Sequence, residues 1–234
     1  MRLFRCDLVG GAVALGLAVT LMFGSIGARA EHSEVDFPGI GPVTLRTIKA
    51  VGALPSVVLA GPDGKVLLNA TVGGTQSSFF RISKGPDGSL NPTVHYAVLD
   101  GPDKTSKAVL AVAAATGGSD CALEAIVFGS ERGKLSLWTP KTLDTQAEGG
   151  IYVGDLGGRR GYGLAVWDFI WGDEPHVAPH RYKVWLYRLN RPHMKFYPVE
   201  TLTTHGHYAD DAAALRELRL TFPNLTKAIP SLSC

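Results

Sequence analysis

Short apolar runs broken by glycine and proline fill the chain from Val43 onward. Ser56 to Ala60 and Lys65 to Ala70 flank Gly61-Pro62-Asp63-Gly64. Proline suits the first bend of a type I turn and the later glycine suits positive φ, so this stretch predicts a hairpin. The device recurs at Gly85-Pro86-Asp87-Gly88 and, without its last glycine, at Gly101-Pro102-Asp103-Lys104. Further strands are predicted at Phe79 to Ser83, Thr93 to Leu99, Ala108 to Ala114, Ala122 to Phe128 and Lys134 to Trp138. The alanines of Ala108 to Ala115 also allow a helix, but Val109 and Val112 favour the strand. Glu31 to Gly41 reads as a loosely held N-terminal stretch, and the polar Thr139 to Gly149 as a surface connection.

The most regular alternation lies around a glycine-rich turn. Ile151 and Val153 enter it, and five glycines fall within residues 154–163. Several of those positions are expected at positive φ, where a Cβ would clash. Leu164 to Trp171 then puts Trp167, Phe169 and Trp171 on one face of a strand, with Leu164, Val166 and Ile170 on the other. A run apolar on both faces predicts a central, covered strand. Asp168 interrupts the second face and needs a partner or water. A loop from Gly172 to His180 precedes another apolar run, Arg181 to Leu189. Asp210 to Leu220 is the strong helix candidate: Asp210 or Asp211 caps its start, Leu215 and Leu218 share a face, and Pro223 ends it. The pattern predicts an all-β fold of antiparallel sheets with a short C-terminal helix, arranged as a sandwich or a partial propeller.

Residues 1–30 change the reading of the charge. Arg2 and Arg5 precede an apolar stretch from Val9 to Ile26, and Ala28-Arg29-Ala30 forms a small-x-small cleavage site. This predicts a secretory signal peptide cut after Ala30, with an uncleaved anchor as the alternative. Cys6 has no lipobox before it. Residues 31–234 then form a single mainly-β domain, aromatic-rich over residues 150–208, that is secreted or periplasmic with no stable membrane span. Removing Arg2, Arg5, Arg29 and Asp7 takes 23 basic and 21 acidic residues to 20 of each. A neutral domain argues against a nucleic-acid partner. Export reaches an oxidising compartment, so Cys121 and Cys234 are disulfide candidates, worth about 4 to 5 kcal/mol in the chain-entropy model. Two free thiols or a bond to another chain remain the alternatives.

Gly154-Asp155-Leu156 with its trailing glycines, and Thr116 to Phe128 with its glycine-plus-cysteine turn, resemble FG-GAP or VCBS-type repeats of secreted β-propeller-like proteins. The resemblance covers residues 150–171 and 116–128. It implies a propeller-like architecture and, in the family, a calcium-holding turn. Asp155 matches the first acidic position, but Gly157 and Arg159 stand where further acids belong, and calcium wants six to eight oxygens. The resemblance therefore implies the architecture without the ion.

The chain has no G-x-S-x-G, H-E-x-x-H, C-x-x-C or Walker motif. No cofactor is expected. Five of the seven histidines fall between residues 176 and 207. Of these, His176, His180, His205 and His207 are the candidate metal ligands, with Asp210 close behind the H-x-H pair. The default reading is surface histidines in aromatic loops. A hydrolase would use Asp155 or Asp168 with Glu174 as paired carboxylates and His176 as base. Arg159 and Arg160 read as solvated turn residues, or as holders of an anion. Six of seven tyrosines and three of four tryptophans lie between residues 150 and 210, as a dense core or a binding surface. The leading expectation is an exported non-catalytic protein that binds a protein or glycan partner or supports the envelope. The alternative is an exported hydrolase, metal-assisted or not, built on the carboxylates and histidines of residues 155–210.

Overall fold

The computed structural model describes residues 32–73, 93–117, 120–146, 149–172, 174–175 and 178–229. The leader with Cys6 and Ala30, the strand expected at Phe79 to Ser83, the turn at Gly85 to Gly88, and the residues His176 and Cys234 lie outside them.

Among the described residues, three antiparallel sheets and one helix make the fold. The first sheet runs in chain order through β1 (His32–Phe37), β2 (Gly41–Ile48), β3 (Ser56–Ala60) and β4 (Val66–Thr71). The second does the same through β5 (Thr93–Asp100), β6 (Lys107–Gly117), β7 (Asp120–Glu131) and β8 (Lys134–Leu137), with β9 (Leu143–Gln146) also on β7. The third comprises β10 (Gly150–Asp155), β11 (Tyr162–Phe169), β12 (Tyr182–Asn190) and β13 (Lys195–Thr203). Helix α1 (Asp211–Thr221) follows.

Alternation along each strand decides how these layers stack. Val109, Ala111 and Ala113 of β6 meet Val35, Val43, Leu45 and Leu59 of the first sheet. Their neighbours Ala108, Leu110 and Val112 meet Ile151, Val153, Leu164 and Val166 of the third. Ala165, Trp167 and Phe169 turn away from that contact to pack on Ala214, Leu215 and Leu218 of the helix. The order is sheet, sheet, sheet, helix, and the middle sheet is covered on both faces. Each valine, leucine, isoleucine or phenylalanine side chain fully buried this way contributes about 1.5–3 kcal/mol of apolar transfer. The covered position explains β6: burial on both faces favours a continuous apolar run, and the valines and cross-strand partners of Ala108 to Ala115 settle it as strand, not helix.

Turn chemistry acts as expected where it is described. Asp63 Oδ1 accepts the Lys65 amide at 3.0 Å in the β3–β4 turn. Asp103 Oδ1 accepts the amide and hydroxyl of Thr105 at 3.0 and 2.7 Å in the β5–β6 turn. Asp210 caps α1, accepting the Ala213 amide at 2.7 Å. The helix stops at Phe222, before Pro223.

Three regions depart from the sequence expectation. Residues 32–37 are not a loose terminus: β1 pairs with β2 over its whole length, and Val35 and Phe37 are buried. The stretch from Thr139 to Gly149 is not a surface connection: β9 pairs with β7, and Thr139 and Thr145 are buried. Their polarity hid this, because both hydroxyls serve the backbone. Thr139 Oγ1 accepts the Val127 amide at 3.3 Å, and Thr145 Oγ1 donates to the Trp167 carbonyl at 2.7 Å. The third region, β13, is an edge strand that carries Pro198 and is mostly exposed, so it gives no apolar period to read.

The second and third sheets are also tied at their rims. Tyr162 donates its hydroxyl to the Asp100 carbonyl, and Arg191 donates to that of Pro102, both at 2.8 Å. Lys195 donates to the Leu137 carbonyl, and the Phe196 amide to that of Trp138. Among the described residues no helix is long and apolar enough to cross a membrane.

Candidate functional site

The glycine-rich turn joins β10 to β11 and is closed by its own backbone. The Leu156 amide donates to the Gly161 carbonyl at 2.9 Å, and Asp155 Oδ1 accepts the Gly157 amide at 3.0 Å. The carboxylate that matches the calcium-holding position thus caps the turn. Arg160, expected as a solvated turn residue, keeps 41% of its side chain exposed but also makes contacts. Its guanidinium lies over the Phe222 ring, 4.7 Å from the centroid, and 3.8 Å from Glu200.

The two aspartates offered as alternative partners of Glu174 are far apart. Asp155 pairs with Tyr162 at the start of β11, whereas Asp168 stands six residues further along that strand, a span of roughly 20 Å. Asp168 is buried, and its Oδ1 accepts the Phe169 amide at 2.9 Å. Glu174 is exposed.

The candidate metal ligands divide. His180 is 5% exposed, and its ring stacks on Phe169 with centroids 4.6 Å apart. Its backbone bridges to Tyr208, and neither ring nitrogen has a hydrogen-bond partner. His205 and His207 are exposed. The backbone amides of His205 and Gly206 donate to Glu217, as does the Tyr208 hydroxyl. Burial pushes the Glu217 carboxyl up, but these donors and the nearby His205 outweigh it and hold the group below its ordinary value. Asp210 caps the helix. Among the described residues no group of three or more histidine, cysteine, aspartate or glutamate side chains could hold a metal ion. For the disulfide candidates, Cys121 stands opposite Thr116 in the β6–β7 hairpin.

The aromatic residues divide between core and surface. Trp138 and Trp167 are wholly buried core residues, while Trp171 is 47% exposed and leans on Phe169. Trp185 and Tyr187 are half-buried and share one face of β12. They line a cleft of about 190 Å³ with Lys141, Thr142, Leu143, Asp144 and Val166. Local structure explains why it exists. Strands β8 and β9 both pair with β7, but the chain leaves the ladder between Trp138 and Thr142. That departure brings Lys141 to Asp144 alongside β12. Lys183, two residues before Trp185, places its Nζ 5.4 Å from the indole centroid. Burial, then the charge of Asp144, raises the Tyr187 hydroxyl above its ordinary value. The cleft therefore offers two aromatic rings, a carboxylate and an amine.

Glu124, the β7 partner of Asp144, is 4% exposed. Burial, then Asp144, pushes its carboxyl up to about 7. Leu123 and Ala125 face the third sheet, so Glu124 and its cross-strand partner Asp144 lie on the opposite side of β7 and β9, and Asp144 meets the aromatic cleft at the edge of the sheet. Sequence reasoning missed Lys141, Asp144 and Glu124. A charge inside the apolar run Ala122 to Phe128 was the available signal for Glu124. Lys141 and Asp144 gave none, because their segment read as a loop.

No family model matches the chain, and neither does any curated protein or solved structure.

Proposed function

We propose that this is an exported, non-catalytic binding protein whose ligand is a carbohydrate, taken at the Trp185–Tyr187 cleft. The observation that carries the reading is the pairing of those two rings on one strand face with Asp144 and Lys141 across from them. A sugar ring has apolar C–H faces that stack on aromatic rings and hydroxyls that bond to charged edges. The cleft is smaller than a pocket for a drug-sized molecule, which suits one ring of a longer glycan. Export follows from the leader-like residues 1–30. The three four-stranded meanders, stacked face to face, accord with the FG-GAP/VCBS resemblance, and we read them as blade-like units.

The hydrolase alternative has less support. Asp155 caps its own turn, Asp168 is buried against the Phe169 amide, and neither His180 nor the exposed His205 and His207 lines the aromatic cleft. The test is retention of the protein on a panel of immobilised neutral polysaccharides, with Trp185→Ala beside the native chain. Retention that the substitution abolishes supports the reading. Failure on the whole panel, or retention that survives the substitution, overturns it.

A further inference from the structure

A second cleft, of about 260 Å³, opens between the glycine-rich turn and β13. Leu186 and Arg188 line it from the face of β12 opposite Trp185, and Tyr187, beside the register irregularity, lines both clefts. Leu156 and Leu186, 3% and 1% exposed, form its floor. Val199 stands at the irregularity that shifts the β12–β13 register between Leu186 and Tyr187, and it is 51% exposed.

Arg159, Arg160 and Arg188 all reach this cleft, and Glu200 is the one carboxylate among its lining residues. Glu200 lies 3.8 Å from Arg160, which Phe222 also holds in place. Arg188 donates to the carbonyl of Arg159 at 3.1 Å, a neutral acceptor that leaves its charge uncompensated. The Arg159 side chain makes no hydrogen bond or ion pair among the described residues. Positive charge in excess over low-dielectric walls focuses the field into the cleft. Guanidinium forks match the geometry of carboxylate and phosphate oxygens. Beside them Val199, half exposed, and what little of Leu156 and Leu186 stays open form apolar surface that a bare inorganic ion would leave uncovered.

We propose that this cleft binds a small amphiphilic anion. Its carboxylate or phosphate head lies between Arg159 and Arg188, and its short aliphatic body covers Leu156, Leu186 and Val199. The site borders the carbohydrate cleft through Tyr187, but its arginines line this cleft alone and the proposal does not depend on the carbohydrate reading.

Calorimetric titration of the full exported chain tests this with five probes: octanoate, octyl phosphate, octanol, acetate and inorganic phosphate, the octyl probes below their micelle thresholds. At least one octyl anion should bind at least about tenfold tighter than octanol and than its own bare head group. The tighter of the two identifies the head. Arg159→Gln and Arg188→Gln should each weaken that binding about tenfold, the loss of one charge-assisted hydrogen bond. Arg159 is exposed and makes no side-chain contact that the fold needs, so its variant keeps the test sound if Arg188→Gln misfolds. Octyl anions that bind no tighter than octanol, or no tighter than the bare heads, overturn the proposal. So does octyl-anion affinity that Arg159→Gln leaves unchanged.

Discussion

Gly150 and Trp167 stand opposite one another in the β10–β11 ladder, and the Trp167 indole lies directly over the glycine. A Cβ added at Gly150 would meet three ring atoms, with Cε2 at 2.8 Å. The backbone there is outside the left-handed region, so space and not conformation requires glycine. The second wholly buried tryptophan, Trp138, is seated over Gly129 in the same way.

Gly150→Ala should therefore destabilise the protein by about 1–3 kcal/mol, the range for overpacking a close-packed core. Urea denaturation measures it. Combining Gly150→Ala with Trp167→Leu should cost less than the two separate losses added together, because the smaller side chain removes the clash. Strict additivity would show that the indole does not set the requirement.

Thr145→Val removes one buried donor while keeping the shape of the side chain. The Trp167 carbonyl then loses the hydroxyl that ties the second sheet to the third. A loss of about 1–2 kcal/mol is expected from chemical denaturation, with unchanged far-ultraviolet circular dichroism. No loss would mean that the sheets are held together without this bond.

Glu124 gives the fold a pH dependence of definite sign. Its carboxyl titrates at about 7 in the folded protein against an ordinary 4.5. The folded state thus holds the proton more tightly, and stability falls as pH rises from about 4.5 through about 7. This shift corresponds to about 3 kcal/mol. Thermal melts across that window should show the decline, and Glu124→Gln should flatten it and stabilise the protein at pH 8. A native chain with no decline over this range would contradict the assignment.

The sequence was informative where one physical signal dominated. Alternation placed Leu164 and Val166 on one face of β11 and Trp167 and Phe169 on the other, and the two faces do pack on different layers. Asp210 and Pro223 bounded the helix to within a residue or two. Where polar side chains serve the backbone from inside, as at Thr139 and Thr145, the composition resembled a surface loop. Glycine carried two meanings that composition cannot separate. Gly157, Gly158 and Gly161 take positive φ, as expected of the turn, but Gly163 makes room for Leu156 and the Tyr187 carbonyl. Both clefts were hidden for a related reason. Their residues come from strands and turns far apart in sequence: the stacking of the sheets unites Asp144 with Trp185, and the pairing of β11 with β12 unites Arg159 with Arg188.

The carbohydrate reading is tested most directly by the four tryptophan indole N–H signals in a nitrogen-15 NMR spectrum, followed as an oligosaccharide retained by the protein is titrated in. The account predicts that the Trp185 signal shifts in saturable fashion while those of Trp138 and Trp167, wholly buried, stay in place. A stationary Trp185, or a shift confined to the exposed Trp171, would contradict it.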